Sequence, residues 1–295
     1  MYHRVAVLPA DPQLLAVTPD HFEEQLAVLS ASGLRPTRLS ELANIQTWPE
    51  RDGVVLTFDD GYADNYLHAR ERLVRHNLPA TFFISTDSLG GHSEFWWDEL
   101  EGLLLADPTP AEGAGSWDVL HPPVSARQRA YLEHCGRLRP LPKREREREM
   151  QRLRLAAGSR GVAREQFRGL REEELRGLEL PGLLDVGGHT MSHPMLSQLP
   201  VAEQWEEILG GAQALTRCLG HAVETFSYPF GTSADFTAET TALVREAGFT
   251  VACANYPGFA QLDTERLALP RCIVRDWDGP DFAARLARWR VGDFA

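Results

Sequence analysis

The chain has 295 residues, of which 43% are hydrophobic and 24% are charged. This composition is typical of a folded protein with a sizeable core, and it excludes a disordered tail, a collagen-like repeat and a small disulfide-rich domain. Because 42 Asp and Glu outnumber 30 Lys and Arg, the formal net charge is −12, which disfavours nucleic acid or an anionic membrane as the main partner.

Strand and helix patterns alternate along most of the chain. In order, the predicted strands are a weak one at 5–8, then 54–58, 81–84, 183–186, 223–226, 249–253 and 267–274. The predicted helices are one that begins at Pro19, then 65–76, 201–219, 237–247 and 282–290. Strands separated by helices of about 10–20 residues indicate an α/β fold with β-α units around a mostly parallel sheet. About seven such units favour closure into a barrel.

The region from 88 to 181 interrupts this alternation because its strand signals vanish. Its predicted elements are a helix with an aromatic face at 94–105, a loop rich in proline and glycine at 108–123, and a charged helix at 143–155. The opposite charges of the last helix cancel, which is typical of a solvated helix face. We therefore expect a helical insertion at 88–181 within a single domain that spans 1–295.

Two polar segments follow predicted strands. Asp59 and Asp60 come directly after one strand, where parallel α/β folds collect their ligands. Adjacent carboxylates point in different directions, so one can bind a metal while the other transfers a proton. The second segment, at 185–194, contains His189 and His193, whose spacing of four positions lets both reach one cation. Together the segments predict a metal site at the strand ends.

The reaction that such a site supports depends on its remaining groups. Two histidines and one carboxylate leave coordination positions open, as both metal-dependent hydrolysis and oxygen activation require. A second carboxylate beside the metal favours hydrolysis, because a base there can take a proton from a water whose pKa the metal lowers. Without a metal, the same residues would form a turn and a packed histidine pair.

Three segments resemble, in the same order, the first three motifs of the NodB-type polysaccharide deacetylases, carbohydrate esterase family 4. They are Thr-Phe-Asp-Asp-Gly at 57–61, His-Thr-Met-Ser-His-Pro at 189–194 and Phe-Ser-Tyr-Pro-Phe-Gly at 226–231. The likeness extends from Tyr2 to Arg271. The Phe-Trp-Trp-Asp segment at 95–98, the insertion and Leu-Pro-Arg at 269–271 resemble a branch that acts on exopolysaccharides or other surface glycans.

The resemblance implies a distorted (β/α) barrel of about seven strands that removes acetyl groups from an N-acetylated oligo- or polysaccharide. It assigns a divalent metal to Asp60, His189 and His193, with zinc as the usual ion and cobalt or nickel as alternatives. It makes Asp59 the general base, and it gives Arg271 the place of the arginine that orients this base.

The third motif departs from the family pattern. The resemblance implies that a backbone N–H near Tyr228 to Phe230 stabilises the oxyanion of the reaction. The chain carries Ser227 and Phe230 where the family often has Arg and Tyr. A backbone donor is unaffected by Phe230, whereas Ser227 leaves Arg271 as the expected partner of Asp59.

The general acid is missing from its usual place. In the family this group is a histidine in a C-terminal Leu-x-His motif, but no histidine follows His221. The leaving amine still needs a proton. We expect His3 to supply it, since its Tyr-His-Arg-Val setting matches the first strand of the resembling branch, and Asp276 is the weaker candidate.

The start of the chain bears on where the protein resides. Only Met1 precedes Tyr-His, whereas several apolar residues do so in the resembling branch, so either the first strand is short or the natural start lies upstream. No stretch has the length and apolarity of a membrane span, and Met1 to Val5 begin no signal peptide. We expect a cytoplasmic protein as written, and a secreted or membrane-anchored one if the natural start lies upstream.

Other functions fit the same residues. The metal core would also serve a hydrolase of another acyl group, such as an O-acetyl ester or a cyclic amide. A glycan-binding module could retain the metal and lack turnover, which the absent C-terminal histidine favours and the intact Asp59 disfavours. A structural protein with an incidental metal site explains these residues least well.

Overall fold

The structure is a computed structural model that describes residues 1–44, 52–105, 117–123, 125–159 and 163–294. Its strands are β1 (Arg4–Val5), β2 (Ala16–Val17), β3 (Arg35–Pro36), β4 (Gly53–Val54), β5 (Leu56–Phe58), β6 (Ala80–Ile84), β7 (Leu184–Gly188), β8 (Thr225–Ser227) and β9 (Val251–Cys253). Its α-helices are α1 (Pro19–Ala31), α2 (Arg70–His76), α3 (Trp96–Leu104), α4 (Ala126–Leu138), α5 (Lys143–Ala156), α6 (Glu172–Leu178), α7 (Val201–Leu219), α8 (Ala238–Glu246) and α9 (Gly279–Arg290). Most of the predicted loop at 108–123, namely 108–116, lies outside the described residues.

The main sheet of the described residues has five parallel strands in the order β5-β6-β7-β8-β9. Every side chain of β5, β6, β8 and β9 is buried, as expected for a parallel sheet that is covered on both faces. The connections between these strands contain helices, which parallel pairing requires. The sheet curls into a half-barrel, so the predicted α/β class is confirmed, although the predicted count of about seven strands is wrong.

The predicted strand at 5–8 is wrong in position. The structure has the short β1 instead, which pairs in parallel with β2, while Tyr2 forms an isolated parallel bridge to Phe58 on β5. The N–H of Val5 donates to the carboxylate of Asp64 at 2.9 Å. The carboxylate of Asp64, and not another strand, therefore accepts the hydrogen bond that Val5 offers at this edge of β1.

The predicted strand at 267–274 is not formed. Leu269 makes an isolated parallel bridge to β9, and the next residue, Pro270, has no N–H with which to extend the ladder. Further along, the N–H of Val274 donates to the carbonyl of Met1 at 3.0 Å. The start of the chain and the segment that follows Leu269 therefore meet, and they close the half-barrel without adding strands to it.

Between β6 and β7, the described residues form the helices α3 to α6. The first three of these pack around a small cluster of buried side chains that is separate from the main core: Leu100, Tyr131, Leu138 and Met150. The boundaries of the insertion and of the single domain stay predictions. Within the described ranges, no helix is long and apolar enough to cross a membrane.

Stacked aromatic rings fix the end of β5. Phe58 is fully buried, and its ring centre lies 5.1 Å from that of Tyr2 and 4.7 Å from that of Phe82. Phe22 adds an edge-to-face contact at 5.9 Å. Such pairs prefer defined geometries, so this cluster holds the backbone that immediately precedes the two carboxylates of the first motif.

Candidate active site

Asp60, His189 and His193 come together beyond the carboxyl ends of β5 and β7. The Oδ1 atom of Asp60 lies 3.5 Å from Nε2 of His189 and 3.4 Å from Nε2 of His193. One ligand atom from each residue lies within 4.8 Å of the others, and all three residues are buried. Three donors of this type could hold one divalent ion and leave coordination positions open.

The surroundings of the two histidines suit metal binding. The Nδ1 atom of His189 lies 2.6 Å from the carbonyl oxygen of Ser227 and donates to it, because a carbonyl only accepts. Its Nε2 is the nitrogen that faces Asp60, and it is buried without a hydrogen-bond partner in the described part of the chain. Burial lowers the pKa of His193 to about 3, so the ring of His193 is neutral at pH 7. The donor set therefore fits a divalent metal.

The metal-site loops have a strained backbone. The φ angles of Asp60, Thr190 and His193 are 77°, 65° and 54°, in a region that residues other than glycine rarely adopt. Local hydrogen bonds hold these conformations: the N–H of Ser85 donates to the carbonyl of Asp60 at 3.1 Å, and the N–H of His193 donates to Oγ1 of Thr190 at 3.1 Å. Strain of this kind persists where the surroundings fix it, which is common at functional sites.

Asp59 is not part of the candidate metal-ligand set and is held by Arg271. The guanidinium donates in a bidentate manner, with Nη1 to Oδ1 and Nη2 to Oδ2, both at 2.7 Å. The hydroxyl of Ser227 donates to Oδ2 at 3.1 Å. Burial is the largest single effect and would raise the pKa of Asp59, but the charge and hydrogen bonds of Arg271, together with the nearby histidines, outweigh burial and hold this pKa well below its usual range. The carboxylate is therefore ionised and fixed in direction.

Arg271 is itself fixed by the barrel. Its Nε donates to the carbonyl of Ala254 at 2.8 Å, its Nη1 to Oγ1 of Thr57 at 3.2 Å and its Nη2 to Oγ of Ser227 at 2.9 Å. Ser227, which occupies a position where the resembling family often has arginine, thus contacts both members of the ion pair. No motif in the sequence singled out this hydroxyl as a partner of Asp59.

The structure places Tyr228 and Phe230 differently. The hydroxyl of Tyr228 donates to the carbonyl of Leu267 at 2.7 Å, and its N–H donates to the carbonyl of Cys253 at 3.1 Å. Both groups are thus engaged inside the barrel, away from the metal ligands. The ring of Phe230 lies 4.6 Å from that of His193, and its N–H has no acceptor among the described residues. Phe230 therefore lines the site, while Tyr228 supports it from the core.

His3 is half-buried beside the carboxylates. Its carbonyl accepts a hydrogen bond from Nδ2 of Asn65 at 2.8 Å, and the next residue, Arg4, is buried in an ion pair. Burial lowers the pKa of His3, and the charges of Asp60 and Asp59 oppose this effect without cancelling it. The ring makes no hydrogen bond within the described ranges, so its nitrogens are available to a ligand.

The weaker general-acid candidate, Asp276, is engaged elsewhere. Its Oδ1 accepts from the N–H and the hydroxyl of Thr18 at 2.7 and 2.9 Å, and the same oxygen lies 2.8 Å from Nδ1 of His21. These partners belong to the start of α1. The structure brings His3, and not Asp276, under the influence of the two carboxylates.

Aromatic residues of the insertion form a wall beside the metal ligands. The ring of Trp97 lies 4.9 Å from that of His193, and the ring of Phe95 lies 6.3 Å from it. The indole N–H of Trp97 donates to the hydroxyl of Tyr62 at 2.8 Å, which donates to Asp98 at 2.6 Å. Burial raises the pKa of Asp98 to about 7. Trp97 is therefore both packed among buried neighbours and part of the wall of the site.

A second link runs from the insertion to the third motif. Arg139, which directly follows α4, donates from Nη2 to both carboxylate oxygens of Asp235 at 2.8 and 3.0 Å. Its guanidinium carbon lies 4.4 Å from the ring centre of Phe230. Asp235 is buried and also accepts from the N–H of Thr232 at 2.9 Å. These contacts fix the loop that carries Phe230, and nothing in the local sequence signals them, since the partners lie 96 positions apart.

Comparison with known families places these residues in a larger group. The family model described as polysaccharide deacetylase matches residues 48–128 and 145–252. A protein of Bacillus subtilis (strain 168) named as a polysaccharide deacetylase, YxkH, is 32% identical over 93 residues. That match covers 30% of this chain and 32% of the relative, so the chain spans about a third of the length of that relative.

Solved structures with a similar fold cover nearly the whole chain. The Streptococcus pyogenes deacetylase PplD, in complex with acetate, is 18% identical with a TM-score of 0.61, and the match covers 97% of this chain and 95% of that one. IcaB from Ammonifex degensii is 20% identical with a TM-score of 0.62, and the match covers 98% and 94%. At these identities the similarity establishes the NodB-type fold alone.

Proposed function

The chain belongs to the polysaccharide deacetylase family, NodB-type carbohydrate esterase family 4, and from this premise we propose that it is a metal-dependent hydrolase that removes N-acetyl groups from a glycan containing N-acetylhexosamine. The main support for the proposal is that two adjacent carboxylates, Asp59 and Asp60, have different partners. Asp60 lies with His189 and His193 in a set that fits a cation, while Asp59 is ionised and oriented by Arg271.

The residues that would hold the metal are Asp60, His189 and His193. A bound divalent ion, zinc in the first place and cobalt or nickel otherwise, would lower the pKa of a water molecule and polarise the acetyl carbonyl. The chain contributes a buried donor set in which the Nδ1–H of His189 is fixed by a backbone carbonyl. Such orienting partners strengthen metal sites.

Asp59 accepts the proton of the attacking water. Its ion pair with Arg271 lowers its basicity but keeps it ionised and aimed at neutral pH, which is the state that a general base needs. The hydroxyl of Ser227 contacts both groups and restricts rotation of the carboxylate. The barrel thus supplies an oriented base next to the metal ligands.

The remaining two roles fall to Phe230 and His3. The free N–H of Phe230 is a donor for the negative charge that develops on the acetyl oxygen in the transition state. The protonated ring of His3 gives a proton to the leaving amine and becomes neutral, and the ring is available because only the carbonyl of His3 is hydrogen-bonded. Both groups lie on backbone that is fixed by neighbouring contacts, which favours a defined geometry.

Acetate release from N-acetylglucosamine oligomers tests this function. Chelated protein is supplied again with zinc, cobalt or nickel, and wild type is compared with Asp59→Asn and with the exposed control Asp20→Asn. We expect the metal to restore release in wild type and in the control, whereas Asp59→Asn retains the metal and loses release. A metal-loaded wild type that cleaves only O-acetyl esters or cyclic amides, or that binds oligomers without turnover, would contradict the proposal.

A further inference from the structure

A cavity of about 450 Å³ lies between α3, α5 and the loop that follows β7. Ser192, which directly precedes the metal ligand His193, is among its lining residues, as are Trp96 and Arg146. The cavity therefore adjoins the candidate metal centre on the side of the insertion. No step of the proposed reaction uses it.

Arg146 is buried without a full set of partners. It is only 5% exposed, and its Nη2 donates to the carbonyl of Ser192 at 2.7 Å. Its Nη1 is buried and has no hydrogen-bond partner among the described residues. Because an unpaired buried cationic donor is costly, this atom points to a missing acceptor.

Trp96 has a second unused donor in the same place. Its Nε1 is also buried without a partner in the described part of the chain, and the guanidinium carbon of Arg146 lies 6.0 Å from its ring. A buried indole N–H usually finds an acceptor. Two N–H donors on neighbouring side chains of one cavity are therefore both unpaired.

Arg146 differs from the other cations of the cavity because no carboxylate forms an ion pair with it. The other cations that line it are each paired with a carboxylate: Lys143 with Asp87, Arg154 with Glu99 and Arg164 with Glu94, at 2.6, 2.7 and 2.8 Å. Of the lining cations in the described ranges, Arg146 has no carboxylate within 4.0 Å. A neutral ligand would leave Arg146 without an ion-pair partner, whereas an oxyanion would provide one.

We propose that this cavity binds an oxyanion group, a carboxylate or a phosphate, carried by the glycan near the sugar unit that loses its acetyl group. This inference rests on the proposed function, which it deepens by adding an acidic substituent to the substrate. Arg146 and Trp96 donate to the group, and the contact of Arg146 with Ser192 ties its position to that of His193. The insertion thus selects acidic glycans.

Calorimetric titration of the zinc-loaded full chain tests the proposal without requiring turnover. The carboxylate probe is a hyaluronan tetrasaccharide, in which N-acetylglucosamine alternates with glucuronate, and its matched control is the same tetrasaccharide with the carboxyls reduced to alcohols. Inorganic phosphate is titrated separately. We expect the carboxylate form to bind at least about tenfold more tightly than the reduced form.

Variants identify the residues responsible. Arg146→Met keeps the apolar stem and should abolish the preference, while Arg148→Met, an exposed arginine on the same helix, should keep it. Trp96→Phe should reduce the preference by about threefold, since it removes one neutral donor, and it tests the site independently if Arg146→Met fails to fold. Thermal melting of each variant establishes which of them is folded.

The outcomes distinguish a carboxylate from a phosphate, and they distinguish failure of this inference from failure of the deacetylase function. Phosphate binding that Arg146→Met abolishes, without a carboxylate preference, would support the phosphate form. Equal binding of both tetrasaccharides with no phosphate binding would overturn the inference, as would a preference that survives in a folded Arg146→Met or is unchanged in Trp96→Phe. Failure of acetate release in the separate assay would instead overturn the deacetylase function, because calorimetry detects binding alone.

Discussion

The two sides of the site differ in what they offer a substrate. The barrel side, at the ends of β5, β7 and β8, presents ionised or metal-binding groups, and the carboxylate of Asp59 has hydrogen-bond donors on both oxygens. The insertion side presents aromatic rings and arginines, such as Trp97 against His193 and Arg139 against Phe230. In the proposed function, the sheet edge supplies the reacting groups, whereas the insertion shapes and holds what surrounds them.

Removal of a candidate metal ligand on the barrel side should have the largest effect. His189→Ala should lower zinc affinity by more than about 100-fold, since loss of an orienting partner alone costs about 10- to 100-fold. Zinc content after dialysis, measured by plasma mass spectrometry, checks this, with circular dichroism as the control for folding. A folded His189→Ala that retains one zinc per chain would show that the Asp60 set is not the metal centre.

The next largest effect concerns the proton donor. His3→Gln should lower kcat on N-acetylglucosamine oligomers by about 10²- to 10⁴-fold and leave zinc content unchanged. The loss should be much smaller with 4-nitrophenyl acetate, whose leaving group needs no proton. The exposed His68→Gln is the matched control. Equal losses on both substrates would assign His3 a structural role.

A variant on the insertion side should have a smaller effect on activity, because it loosens a loop of the site and removes no reacting group. Arg139→Met breaks the ion pair with Asp235 and loosens the loop that carries the N–H of Phe230. We expect kcat to fall by about tenfold to 100-fold with little change in KM and in zinc content, measured by steady-state acetate release. Arg137→Met on the same helix is the control. A change in KM alone would indicate substrate contact and not loop positioning.

The smallest expected effect is on stability. Burial raises the pKa of Asp98 to about 7 in the folded protein, above the value of about 3.9 for an unfolded chain. The contribution of this group is therefore fully present below about pH 4 and is lost as the pH rises through 7, by at most about 1.4 kcal/mol per pH unit. Urea unfolding at pH 5 and pH 8 measures the free energy of unfolding of both proteins. Relative to wild type, Asp98→Asn should be more stable at pH 8 than it is at pH 5. The same pH dependence in both proteins would contradict this.

The sequence predicts the barrel side well because its signals are local. A buried strand followed by Asp59 and Asp60, and a histidine pair after another strand, place their side chains at one sheet edge by the geometry of parallel pairing. The prediction overestimated the strands where single residues stop pairing, as at Pro270, which has no N–H. The carboxylate of Asp64 likewise caps the edge of β1.

The insertion side is hard to predict because its contacts are distant in sequence. Arg139 meets Asp235 across 96 positions, and Arg146 meets Ser192 across 46. Helical periodicity predicts which face of a helix is buried, but it does not tell which loop that face will contact. The role of Ser227 was hidden for the same reason, since its partners Asp59 and Arg271 lie on other elements of the barrel.

In the proposed function, acetyl removal requires one divalent ion at Asp60, His189 and His193, together with Asp59. Titration of metal-free wild type with zinc, with occupancy and acetate release measured in the same samples, tests it most directly. We expect release from N-acetylglucosamine oligomers to rise in proportion to occupancy and to saturate at one ion per chain. Equal release by the metal-free protein, or full occupancy without any release, would contradict it.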